Sequence, residues 1–267
     1  MTEAEASRHA RAAELLAAAR LACTPIEPLP ADCRPRDEAE GYAVQEALHG
    51  RLAAAGRGAV VGYKIGCTTP VMQALLDIDF PCAGGVFSTT VHHGAAVLRH
   101  ADFVSPGVET EIAVRLGADL AADAAPFTPD TAAEAVDACM VAIELVDLRY
   151  ADYRAMGVPT LIADDFFGAG CVLGEPVSDW RDLDLAAATG VTTIDGIEAG
   201  RGKGADVMGD PLAALAWLAN AMGVRGRGLR RGAFVLTGSI VAVQKPTPGQ
   251  QAVVTVDGLG SVRARFD

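Results

Sequence analysis

Apolar residues in the first fifty positions recur at helical spacing. Residues 3–22 read as one Ala-rich amphipathic helix, with Leu15, Leu16 and Leu21 as its largest apolar side chains. Pro25, Pro28, Pro30 and Pro35 then break the pattern, because proline fixes φ and lacks an amide hydrogen. A second helix fits about 37–55, opening on acids and placing Tyr42, Val44, Ala47, Leu48 and Leu52 on related faces. Gly56 and Gly58 end it.

The texture changes after residue 59. Residues 59–66 form a short strand bounded by glycines, and Thr69-Pro70 opens a short helix through about Leu76. Residues 109–116 alternate and read as a strand, 129–139 as a helix entered at Thr128 or Asp130, and 141–148 as an apolar strand. Further strands are expected at 171–173, 188–194, 234–243 and 252–256, with a helix over 210–222 marked by Pro211 and Gly223. No regular βαβ alternation appears. The chain is therefore expected to be α+β, with a helical N-terminal region over 1–58 and a β-rich catalytic core over 59–267, folded as one continuous unit.

Composition narrows the function. Of 267 residues, 51% are apolar, which excludes disorder as the main state. The formal charge of −12 argues against nucleic acid and polybasic membrane binding, both of which need basic surface. Most of the acids read as solvated surface. Six cysteines lie at spacings that match neither a disulfide scaffold nor a zinc site. The acidic N-terminus does not read as a secretory signal, no apolar run reaches the length of a bilayer span, and a cytoplasmic location is expected. Gly200–Gly204 lacks phosphate-loop spacing and reads as a polar surface loop; Gly223–Gly232, with four arginines, reads as a surface or subunit-contact turn.

Three places stand out chemically. Glu109 and Glu111 are two apart in a predicted strand, so they share a face at about 7 Å, a repulsive arrangement unless a cation lies between them. An exposed edge strand would equally tolerate the pair. Glu144 interrupts the apolar run Val141–Val146, and a buried carboxylate needs a partner or a metal. A salt bridge to Arg115 or Arg149 would also satisfy it. Three carboxylates without a Cys/His pattern would select a hard divalent ion, Mg²⁺ or Mn²⁺. Lys64 lies in a short apolar strand just before a glycine, and either extends outward to solvent or faces an anionic substrate. His92-His93, between glycines, reads as an exposed pair.

In order along the chain, these residues resemble a known pattern: Gly62-Tyr63-Lys64-Ile65-Gly66-Cys67-Thr68, Val108-Glu109-Thr110-Glu111-Ile112-Ala113, Ala142-Ile143-Glu144-Leu145-Val146-Asp147, Ile162-Ala163-Asp164-Asp165, Gly209-Asp210-Pro211-Leu212 and Leu236-Thr237-Gly238-Ser239. The chain resembles the 2-keto-4-pentenoate hydratase and 4-oxalocrotonate decarboxylase branch of the fumarylacetoacetate hydrolase superfamily. The resemblance runs from Tyr42 to the C-terminus.

That resemblance implies helices on a mixed, mostly β core, and Mg²⁺ or Mn²⁺ held by Glu109, Glu111 and Glu144. It implies a 2-oxo or 2-hydroxydienoic acid substrate whose enolate the cation stabilises, bound near Lys64, Cys82 and Ser239, with Lys64, Asp164 and Asp165 as catalytic groups. Hydration of a 2-hydroxypenta-2,4-dienoate-type acid is the leading expectation. Decarboxylation of a 4-oxalocrotonate-type acid comes next, then acylpyruvate hydrolysis or service as a non-catalytic partner subunit. A homo-oligomer is implied, as is association with a related decarboxylase or aldolase. Two departures alter the picture. Cys82, in Phe80-Pro81-Cys82-Ala83-Gly84, stands where hydratases carry an Asp, and Asp164-Asp165-Phe166-Phe167 replaces the usual Asp-Asn.

Overall fold

A computed structural model of the chain describes residues 2–267. Helix α1 (Glu3–Ala22) begins in a capping box, in which Thr2 Oγ1 accepts from the Glu5 amide and the Glu5 carboxylate accepts from the Thr2 amide. Asp37 caps α2 (Glu38–Leu52) by accepting from the Glu40 amide. The two helices bury Ala12, Ala13 and Leu16 against Val44, Leu48 and Leu52, so the predicted N-terminal pair forms as expected.

The chain continues through β1 (Val60–Gly66), α3 (Pro70–Leu76), β2 (Cys82–Phe87), β3 (Val91–His93), β4 (Ala95–Leu98) and β5 (Pro106–Leu116). Then come α4 (Pro129–Ala133), β6 (Val136–Asp147), α5 (Val158–Ala163), β7 (Gly168–Leu173), β8 (Thr189–Ile194) and β9 (Ile197–Lys203). The last elements are α6 (Pro211–Val224), β10 (Phe234–Gln244), β11 (Gln251–Val256) and β12 (Gly260–Phe266). One sheet runs β2-β1-β10-β5-β6-β7-β3 and curls until β2 touches β7. A second, β4-β12-β11-β8-β9, packs on its outer face. The chain is thus an α+β protein with N-terminal helices on a mixed β core.

Strand alternation sorts the side chains of β5 and β6. Val108, Ile112, Val114, Val141 and Ile143 face the second sheet and are fully buried, each contributing about 1.5–3 kcal/mol by removal from water. The opposite face carries Glu109, Glu111, Ala113, Met140, Ala142 and Glu144. Its apolar members join Leu236 and Phe234 in a separate small cluster inside the curl.

Two expectations fail because strand pairing claims the residues. The helix predicted over 129–139 stops at Ala133, because residues from Val136 onward pair with β5 and their amides enter the sheet ladder. Sheet pairing overrides the helical propensity of the alanines. The stretch 200–204 is not a free loop: Ile197–Lys203 is the second strand of a hairpin turning at Asp195 (φ 51°) and Gly196 (φ 81°). Positive φ at both turn positions matches the twist of the flanking strands. A Cβ on Gly202 would collide with the Ile240 carbonyl, so glycine lets β9 lie directly on β10. The segment Gly204–Val224 is long and apolar enough for a membrane span, but Ala214, Leu215, Leu218 and Ala219 of its α6 portion pack into the protein core.

Candidate active site

Register brings the glutamates together. Glu109 on β5 lies directly opposite Glu144 on β6, and Glu111 follows two residues along on the same face. Ligand oxygens of all three lie within 4.8 Å of one another. Glu111 and Glu144 are buried, and Glu109 is partly exposed. The Glu111 Oε1 and Glu144 Oε2 atoms are buried without a hydrogen-bond partner. Native interiors rarely leave such atoms unsatisfied, and a set of hard carboxylate oxygens with free lone pairs fits Mg²⁺ or Mn²⁺.

The electrostatics agree. Burial, then the neighbouring Glu144 charge, pushes Glu109 up to about 7, against the opposing pull of Lys64. Burial pushes Glu111 well above the usual carboxylate range, reinforced by Glu144 and Glu109. A dication would remove that repulsion.

Lys64 comes from β1, three strands away from β6 in the sheet. The curl carries its Nζ to 3.1 Å from Glu144 Oε1, with the lysine only 3% exposed. The Arg115 and Arg149 partners anticipated for Glu144 are engaged elsewhere, with Asp137 and Asp164 respectively. Burial acts to lower the Lys64 pKa, but Glu144, Glu109 and Glu111 together raise it, so the ammonium keeps its proton. Nζ also donates to the Phe166 carbonyl at 3.0 Å, and the Phe166 ring stands 5.8 Å away.

Two features of β10 complete the cluster. A bulge between Leu236 and Ser239 interrupts its pairing with β5. Within it Gly238 adopts φ 128°, and its amide donates to Glu111 Oε2 at 2.8 Å. Ser239, expected near substrate, is aligned with Glu111, but its hydroxyl donates to the Val241 carbonyl at 2.6 Å. Sequence reasoning missed Gly238; a glycine inside an apolar strand was the available signal.

The remaining candidates are placed differently from expectation. Cys82 has no exposed surface, and its thiol faces Cys67 rather than a cavity. Asp164 is fully buried and accepts from Arg149 Nε and Nη2 at 2.9 and 2.8 Å. Asp165, also fully buried, meets His49 Nε2 at 2.6 Å, Arg20 Nη1 at 2.8 Å and the Gly85 amide at 2.9 Å. Burial opposes its ionisation, but His49, Arg20 and the Gly85 amide outweigh it and hold Asp165 well below the usual carboxylate range. Both aspartates, expected as catalytic groups, are held in ion pairs. His92 lies half-buried in β3 opposite Val172 of β7, not in an exposed turn. A cavity of about 470 Å³ is bordered by Glu144, Arg20, Arg149 and His92 and reaches neither Lys64 nor the other glutamates.

A curled sheet with helices at its N-terminal side and a carboxylate trio inside it defines the class. The chain belongs to the fumarylacetoacetate (FAA) hydrolase C-terminal family, which it matches over residues 84–267. It is 36% identical to the 2-keto-4-pentenoate hydratase of Burkholderia vietnamiensis over 261 residues, covering 98% of this chain and 97% of that protein. It is 30% identical to the 4-oxalocrotonate decarboxylase of Pseudomonas putida, covering 85% of each. Its fold superposes on the 4-oxalocrotonate decarboxylase of Pseudomonas putida G7, solved with magnesium and adipate, with a TM-score of 0.92, 28% identity and coverage of 100% and 99%.

Proposed function

We propose that this chain is a divalent-metal-dependent lyase acting on a small 2-oxo or 2-hydroxydienoic acid, with hydration of a 2-hydroxypenta-2,4-dienoate-type substrate as its reaction. One observation carries the reading: three carboxylates whose oxygens lie within 4.8 Å of one another, beside a buried ammonium 3.1 Å from one of them. Glu109, Glu111 and Glu144 would hold Mg²⁺ or Mn²⁺. Bound there, the ion supplies Lewis-acid polarisation of a substrate oxygen and a template for a 2-oxo carboxylate. Lys64 keeps its proton and so acts as a positive hydrogen-bond donor where negative charge develops on the substrate, not as a base. The Phe166 ring, buried against Gly66, walls the site from water on that side.

Decarboxylation of a 4-oxalocrotonate-type acid is the second reading. The fold favours it, because the solved structure on which the chain superposes with a TM-score of 0.92 is a 4-oxalocrotonate decarboxylase. Supplying each acid with Mg²⁺ separates them: 4-hydroxy-2-oxopentanoate from the dienoate supports hydration, carbon dioxide from 4-oxalocrotonate supports decarboxylation, and neither product refutes the lyase assignment. Lys64→Met should lower kcat at least about 100-fold while calorimetry still reads metal binding. A homo-oligomer, association with a related decarboxylase or aldolase, and a cytoplasmic location are part of the same proposal; light scattering, co-purification and fractionation test them.

A further inference from the structure

Residues 165, 166 and 167 adopt φ of 55°, 48° and 70° in succession, and none is glycine. A run of left-handed residues with side chains is unfavourable and persists only where the surroundings enforce it. Here the enforcement is visible. The Asp165 carboxylate takes Arg20 from α1, His49 from α2 and the Gly85 amide from β2. Arg20 also reaches the far end of the loop, donating to the Gly168 carbonyl at 3.3 Å. Arg149 secures Asp164 on the near side and contacts the same Gly168 carbonyl. A Cβ on Gly84 would press into the Asp165 backbone, so the loop sits against β2 with no slack.

The loop's one polar contact with the site is the Phe166 carbonyl, which accepts from Lys64 Nζ. Glu144 Oε1, at 3.1 Å, is the carboxylate oxygen paired with that ammonium. The left-handed turn therefore gives Lys64 a fixed neutral acceptor and stops it from swinging wholly onto the glutamates.

We propose that Arg20 and His49 are positioning residues for Lys64, acting through Asp165 and the Phe166 carbonyl. Neither touches the carboxylate cluster. They lie 145 and 116 residues from Asp165 in the chain, and both fall outside the 84–267 stretch that matches the family. The N-terminal helices thus do more than cover the core: they hold the shape of the loop that aims the site's cation. This rests on the reading of Lys64 as a substrate-facing group.

The test uses the full chain with His49→Leu, His49→Gln and Arg20→Met, and Arg8→Met as control. Arg8 pairs with Glu40 at 2.7 Å, joining the same two helices without touching the loop. Two readouts need neither metal nor substrate: amide hydrogen exchange across 164–168, and the rate at which an amine-reactive reagent labels Lys64, with exposed Lys203 and Lys245 as references. His49→Leu and Arg20→Met should raise both at least about tenfold over Arg8→Met. His49→Gln, which restores a donor, should stay within about threefold of the parent.

With Mg²⁺ and the dienoate, the two disruptive variants should lose at least about tenfold in kcat with KM little changed, the signature of a misplaced group rather than a lost binding contact. Metal affinity by calorimetry should match the parent. Exchange and labelling no greater than in Arg8→Met would overturn the proposal. If His49→Leu does not fold, Arg20→Met gives the same comparison. If the parent converts neither acid, the lyase reading has failed, while exchange and labelling still decide the clamp.

Discussion

The three glutamates should take up a metal only by giving up protons. Without a cation, burial and mutual repulsion set Glu109 near 7 and Glu111 well above the usual carboxylate range. At pH 7 Glu109 is then about half protonated, and Glu111 holds its proton more firmly than an ordinary carboxyl. Metal ligands must be deprotonated, so binding should release at least about half a proton at pH 7. The apparent affinity should rise about fivefold or more between pH 6 and 7, since the slope equals the number of protons released. Calorimetric titration with Mg²⁺ or Mn²⁺ in two buffers of different ionisation enthalpy measures the release directly. Glu111→Gln removes one ligand, so release should fall and affinity should drop at least about tenfold. Tight binding with no proton release at pH 7 would refute the reasoning, because the carboxylates would then be ionised without any cation to compensate them. Unchanged affinity in Glu111→Gln would refute the three-carboxylate site itself.

Further outcomes follow from the same geometry. The folded-state pKa of Glu109 lies above its ordinary 4.5, so the metal-free fold is favoured at low pH and loses stability as pH rises from about 4.5 to 7. That loss reaches up to about 3 kcal/mol and should be reversed by Mg²⁺ in urea titrations at pH 7.5. Cys82→Ala should leave turnover within about threefold of the parent, because the thiol faces Cys67 and not the substrate; a loss above about tenfold would return Cys82 to the site. Gly202→Ala should destabilise the fold by about 1–3 kcal/mol in denaturant titration, since its Cβ meets the Ile240 carbonyl; no change in stability would show that β9 can lift off β10.

The pattern of residues determined a good deal alone. Both N-terminal helices, the strands carrying Lys64, Glu109, Glu111 and Glu144, and the helix after Pro211 all formed where periodicity and punctuation placed them, because those signals are local. Glu109 and Glu111 had to share a face, since side chains alternate along a strand. The oddity of a lone acid inside Val141–Val146 was also legible, since burying a charge is costly.

What the tertiary structure decided was convergence. No spacing in the chain states that Glu144 sits opposite Glu109; β5–β6 register does. Nor does any local signal say that Lys64 reaches Glu144 past the two intervening strands, which needs the curl of the whole sheet. Pairing with β5 likewise cut short the helix after Pro129. The family resemblance implied Asp164 and Asp165 as site acids, and only packing supplied the arginines and the histidine that hold them. A carboxylate's role depends on which charges meet it through space, and for these residues those charges arrive from as far as 145 positions away in the chain.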